Sequence, residues 1–133
     1  MDKLPHYAIM RISKIPNFAV LAEVEGHNTR TIPAGIVAGR PVPIDWIKHD
    51  GSFSDRAEQV LHDAGAKWEE GKILAVEILV TASPDWWKNA STEQKEEWIE
   101  ANWKFAKDQF GPGLISFTPH VDESTPHVQF VGL

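Results

Sequence analysis

Residues 114–132, LISFTPHVDESTPHVQFVG, decide how this chain folds. Two apolar stretches, 114–119 and 127–132, flank the turn-rich segment DESTP. A connection that short makes the two strands antiparallel neighbours, because a parallel return needs a long crossover. Side chains alternate along a strand, so His127 and Gln129 point to one face. Val128 and Phe130 point to the other, where they anchor the strand in a core. His120 ends the first strand, and the hairpin brings it beside His127. Two imidazoles and one amide oxygen can then meet at a single ion. Three such ligands leave positions open for water and a phosphate oxygen. Nitrogen and oxygen donors without sulfur suit Mn²⁺, Mg²⁺ or Zn²⁺. Asp122 or Glu123 is placed to ligate directly or to orient a histidine. Two histidines near a turn are in themselves ordinary, and their spacing alone does not establish a metal site.

Working outward, residues 92–110 read as a helix. Ser91 and Gln94 form a capping-box pattern, Ile99, Trp103, Ala106 and Phe110 follow at helical spacing, and Gly111-Pro112-Gly113 ends the run. Residues 73–81, ILAVEILVT, read as a buried strand with Glu77 as its odd polar member. Glu77 faces either the active side of the sheet or an exposed side, and periodicity leaves both open. Residues 54–64 read as a helix with Ser54 as N-cap, a stripe of Ala57, Val60, Leu61 and Ala64, and Gly65 as the stop. Gly26 to Ser52, rich in proline and glycine, reads as a long irregular loop. Residues 17–25, NFAVLAEVE, fit either a short helix capped by Asn17 or a strand. The opening HYAIMRI alternates as a strand, with Tyr7, Ile9 and Arg11 on one side. The element order predicts a single α+β domain spanning 1–133, with helices packed on one face of an antiparallel sheet.

The chain has 133 residues, enough for one domain with one core. It has no cysteine, which excludes disulfides and thiolate metal sites and fits a reducing cytoplasm. No apolar run approaches the roughly 18 residues of a membrane span, and the N-terminus lacks the apolar core of a signal peptide. The net charge of −6 counts against nucleic-acid binding, which favours a basic surplus. The charge is uneven, however. Glu93 to Glu100 holds four acids and one lysine, whereas Thr29 to Lys48 holds three bases and one acid. A bound divalent ion would add positive charge where a phosphate needs it.

HVDESTPHVQ, residues 120–129, closely resembles the HxDExTPHxH motif of the MobV-type relaxases, the plasmid mobilisation or plasmid recombination family, and departs only at its last position. His27-Asn28-Thr29-Arg30 resembles that family's HNxR motif, and YAIMR (7–11) and AVEILVTASPDWW (75–87) are similar to family sequence in the expected order. The resemblance implies a nuclease fold of the histidine-hydrophobe-histidine type that cuts one DNA strand at an origin of transfer and becomes joined to the 5′ phosphate. His27 inherits the role of nucleophile. His120, His127 and Gln129 inherit the metal triad, with Mn²⁺ or Mg²⁺ ahead of Zn²⁺. Glu123 inherits a supporting role, and Arg30 that of holding a phosphate. Asn28, Arg30 and Arg11 are the expected contacts to single-stranded or hairpin DNA. Gln129 stands where the family has histidine, the stretch TIPAGIVAGRPVP (31–43) replaces a polar one, and family proteins continue beyond the metal strand.

Among other residues, Tyr7 reads as a packing residue. The six tryptophans offer stacking surfaces for bases, with Trp103 assigned to the core by its stripe and Trp86 and Trp87 left open. His6, His49 and His62 have no partner pattern. Two further readings compete with a relaxase. One is a non-catalytic descendant that binds DNA as a regulator or replication accessory, favoured by the acidic charge and Gln129. The other is a metal-dependent hydrolase of small phosphoesters, which needs no basic groove.

Overall fold

Asn17 settles the segment that periodicity leaves ambiguous. Its side-chain oxygen accepts a hydrogen bond from the Val20 backbone N–H at 2.9 Å, a helix N-cap. Helix α1 therefore runs Phe18–Asn28. It follows strand β1, Ala8–Ile15. The computed structural model describes residues 8–28, 44–48, 51–121 and 126–133. Because α1 reaches Asn28, Gly26, His27 and Asn28 are helical rather than part of the irregular loop expected from Gly26 onward.

Helix α2 spans Phe53–Asp63. Its cap is Ser52, not the expected Ser54. The Ser52 hydroxyl accepts from the Asp55 N–H at 3.1 Å, and the Asp55 carboxylate accepts from the Ser52 N–H at 3.0 Å. Both residues are serines; the box forms at Ser52, which has an acid three residues on, whereas Ser54 has Ala57 there. Strand β2 is Ala75–Ala82. A short helix, α3, at Pro84–Asn89 follows and was not anticipated. Helix α4 spans Thr92–Phe110 with the expected box, in which Gln94 N–H donates to Ser91 Oγ at 3.0 Å and Ser91 N–H donates to Gln94 Oε1 at 2.8 Å. Strands β3, Leu114–His120, and β4, His127–Gly132, complete the chain.

The strands form one sheet in the order β1-β2-β4-β3, and every neighbouring pair is antiparallel. The α+β reading with an antiparallel sheet therefore holds. The helices, however, lie on both faces rather than one. Ile78, Val80, Val128, Phe130 and Phe117 point toward α4, where Ala106, Trp103 and Ile99 meet them. Ile15, Ala75 and Val131 point the other way, toward Leu21 of α1 and Phe53 and Ala57 of α2. Gly132 lets the Phe110 ring lie against β4, since a Cβ there would overlap that ring.

An edge strand leaves backbone groups unpaired, and β3 is such an edge. A clamp from distant sequence covers it. Phe117 N–H donates to Asp45 Oδ1 at 3.1 Å, and Trp46 N–H donates to the Phe117 carbonyl at 2.8 Å. Arg56, 8% exposed, donates from one terminal nitrogen to Asp45 Oδ2 at 2.9 Å and to the Ile115 carbonyl at 2.7 Å. Asp45 thus neutralises a buried guanidinium and holds the strand that ends in His120. Asp45→Asn takes the Asp45 carboxylate charge away from that buried guanidinium. The expected destabilisation is roughly 2–3 kcal/mol, read as a lower urea midpoint at unchanged slope. A change below about 0.5 kcal/mol would show that the clamp does not hold the edge.

Candidate active site

The strand registers place side chains in rows across the face that α1 and α2 partly cover. One row is Ile9, Thr81, His127 and His120; the next is Arg11, Leu79, Gln129 and Thr118; the next is Ser13, Glu77, Val131 and Ser116. Directly opposed residues on one face of an antiparallel pair lie within contact distance. The row holding His127 and His120 is the outermost at the hairpin end. The rings of these two histidines stack with centroids 4.8 Å apart and planes 16° from parallel. Both are buried, His120 completely. Burying Ser116, Thr118, His120, His127 and Gln129 on one face is costly unless each polar group has a use. Ser116 and Thr118 meet through their hydroxyls at 3.4 Å.

Helix α1 delivers His27. Leu21 and Val24 of α1 pack into the core beneath this face, and His27 follows at the same spacing of three, on the same side of the helix. Its ring centroid lies 5.8 Å from that of His120. The residue proposed from sequence as nucleophile and the two proposed as ligands thus form one row of imidazoles: His27, His120, His127. Among the described residues, no three histidine, aspartate or glutamate side chains close on a common point as a metal site. The further donor that the same face offers is the Gln129 amide.

Gln129 is 4% exposed. Its Nε2 donates to the Glu77 carboxylate. Its Oε1 is buried and has no hydrogen-bond partner among the described residues. An amide oxygen in that condition is a donor atom in want of a cation or a hydrogen. Two stacked imidazoles and a bare amide oxygen on one buried face fit a divalent ion of the Mn²⁺ or Mg²⁺ type. Glu77 therefore lies on the site face, which resolves the choice the sequence left open, and desolvation by burial raises its pKa above the ordinary 4.5. The sequence signal for it was the lone acid in an apolar strand; nothing in the sequence linked it to Gln129.

Arg11, expected from the sequence to contact DNA, is exposed and lies in the Gln129 row, on the same face of the sheet as the histidines. Asn28 closes α1. Arg30 and Glu123, expected to hold phosphate and to support the metal, lie outside the described residues, as do Tyr7 and Asp122. Trp103 packs against Phe117 in the core beneath α4, as its stripe predicts. Trp86 and Trp87 cluster with Trp98 on that side too. Glu93, Glu96, Glu97 and Glu100 line a groove of about 830 Å³ along α4, with Trp46 at its edge. The acidic run is thus a helix flank, away from the histidines. Among the described residues, no helix is long and apolar enough to cross a membrane.

The same fold occurs in known proteins. The chain superposes on the MobM relaxase domain, solved Mn-bound and in complex with plasmid pMV158 oriT DNA, with a TM-score of 0.81 at 20% identity, over 96% of this chain and 70% of that one. The structure of that domain with a 26-nucleotide oriT DNA gives 0.73 at 18% identity, over 95% and 68%. These likenesses establish the fold. A 65 kDa protein of Zymomonas mobilis subsp. mobilis is 27% identical over 132 residues, 94% of this chain and 22% of the relative. A plasmid recombination enzyme of a Bacillus species is 24% identical over 80 residues, 57% of this chain and 19% of the relative. The chain spans about a fifth of the length of these curated relatives. The model of the plasmid recombination enzyme family, Mob_Pre, matches residues 44–131, a stretch that holds Glu77, His120, His127 and Gln129. With two thirds of its length matched by that model, this chain belongs to the plasmid recombination enzyme family.

Proposed function

We propose that this chain is a relaxase-type domain that nicks and rejoins one strand of DNA, with His27 as nucleophile and a divalent ion, Mn²⁺ or Mg²⁺, held by His120, His127 and Gln129. The observation that carries the reading is the placement of His27 from the end of α1 within 5.8 Å, ring to ring, of the His120–His127 pair. The family and the Mn-bound, oriT-bound state of the MobM domain support it.

A ring nitrogen of His27 attacks the phosphorus of a single-stranded segment laid across the site face. A P–N bond forms as the P–O3′ bond breaks; the leaving oxygen keeps the electron pair and takes a proton from water. The 5′ phosphate stays on His27 as a phosphoramidate. The free 3′-hydroxyl reverses the step and reseals the strand. An ion at His120, His127 and Gln129 supplies Lewis-acid polarisation of the phosphate. Arg11 adds charge beside the site, and Arg30 and Glu123, three residues from His27 and His120 in sequence, are proposed to contact phosphate and to support the ion. Single-stranded or hairpin DNA at an origin of transfer is the proposed substrate.

Calorimetric titration of the metal-free chain with Mn²⁺ is expected to show one site, weakened at least about 100-fold in His127→Ala. A folded wild type that binds no Mn²⁺ would turn the reading toward a non-catalytic DNA-binding role.

Incubation with Mn²⁺ and a randomised pool of single-stranded oligonucleotides is expected to give a covalent protein–DNA adduct on a denaturing gel. His27→Ala should lower its yield by roughly 10³-fold or more. An adduct that survives this substitution would remove His27 as nucleophile.

A further inference from the structure

A carboxylate inside an apolar strand is costly and needs a reason to be there. Glu77 stands one row below Gln129 on the site face of the sheet, on the adjacent strand. Its carboxylate accepts a hydrogen bond from Gln129 Nε2, while Gln129 Oε1 is buried without a hydrogen-bond partner among the described residues. The two ends of a primary amide are nearly alike in shape, but only the oxygen has a lone pair to give a cation. An ionised carboxylate accepts hydrogen bonds and donates none, so it selects the nitrogen end. At 4% exposure, Gln129 has little access to water that could satisfy the other orientation.

Given the reading of His120, His127 and Gln129 as metal ligands, we propose that Glu77 is a positioning residue, which holds the Gln129 amide by its nitrogen and so presents the carbonyl oxygen to the ion. The same hydrogen bond draws electron density through the amide toward that oxygen and strengthens it as a ligand. This is the amide counterpart of a carboxylate that orients a metal-bound histidine through its second nitrogen. It explains how glutamine, a weaker ligand than imidazole for transition ions, serves in a position next to two histidines. Glu77 itself does not touch the substrate or the ion.

The test is a double-mutant cycle of Mn²⁺ affinity over wild type, Glu77→Gln, Gln129→Ala and the double variant, with thermal melts as the folding control. Glu77→Gln keeps shape and volume but removes the group that can only accept, so either amide orientation of Gln129 becomes possible. The expected result is a loss of about 10-fold or more in Mn²⁺ affinity with the melting temperature little changed. In the Gln129→Ala background the second substitution should change affinity less than about twofold, because positioning acts only through Gln129. Residual binding there is read from Mn²⁺ broadening of the His120 and His127 ring resonances. Independently of metal, the side-chain amide resonances of Gln129 in the metal-free protein should shift on Glu77→Gln. Wild-type affinity in Glu77→Gln, or amide resonances that do not move, would overturn the positioning role while leaving the ligand set intact. An equal loss in both backgrounds would also overturn it, since the carboxylate would then act as a distant charge. Absence of Mn²⁺ binding in the folded wild type would overturn the ligand set, and the positioning role with it.

Discussion

Strand β4 is buried along its whole length, on both of its faces, and much of the rest of the fold answers that constraint. A strand with two covered faces usually reads as continuous apolar residues. In β4 the period of two instead separates Val128 and Phe130, which lock into the α4 core, from His127 and Gln129, which are buried on the opposite side as polar groups. A slip of one residue would put imidazole and amide into the aromatic core and the phenyl ring onto the site. The register is pinned from both sides. Pairing with β2 sets Leu79 against Gln129 and Thr81 against His127, and pairing with β3 sets His120 against His127.

Burial of this kind stands only if the polar atoms are provided for. Glu77 on one neighbouring strand takes the nitrogen end of Gln129, and the Ser116 and Thr118 hydroxyls on the other meet each other. The outer edge of β3 is satisfied by Asp45, Trp46 and Arg56, none of which is close to β3 in sequence. Fixing β3 fixes His120 at its end. On the same face, α1 packs Leu21 into the lower core and continues far enough for its last turn to bring His27 beside His120. The three imidazoles therefore meet because of backbone devices, a helix cap at Asn17 and an edge clamp at Asp45, that lie well outside the site.

The hairpin, α4 and the division of β4 into two faces were legible in the sequence because each rests on local chemistry: turn residues, a capping box and alternation. The α2 cap was displaced by two residues because two serines competed, and only the reciprocal bond with Asp55 separates them. Helix α1 was ambiguous because FAVLAEVE is apolar without a single period, so its cap, not its pattern, decides. Helix α3 is six residues long and starts at a proline, too short for periodicity, and its tryptophans pack on Trp98 of α4. Glu77 could be placed on either face until the register between β2 and β4 was known. The Asp45–Arg56 pair joins an irregular segment to a helix through a third element, and no local signal announces it. The motif singles out His27 as a candidate, but its place on a helix end is not legible in the sequence. Alternation alone put the expected ligands His127 and Gln129 on one face, and the hairpin added His120.

The acidic net charge, which weighed against a nucleic-acid partner, takes on a different meaning once the acids are located. Glu93, Glu96, Glu97 and Glu100 line the α4 groove, on the side of the sheet opposite the histidines. A helix is about 10–12 Å across, so its outer flank stands on the order of 15 Å or more from the site face. The Debye length at physiological salt is about 8 Å, which screens exposed charges at that range. Net charge is a sum, whereas a phosphate responds to what lies within about one screening length. On the site face that includes Arg11, in the row of Gln129. The sum of −6 therefore sets how the domain as a whole behaves toward a polyanion at low salt, while approach to the histidine row is governed by the few charges around it and by whatever ion the row holds.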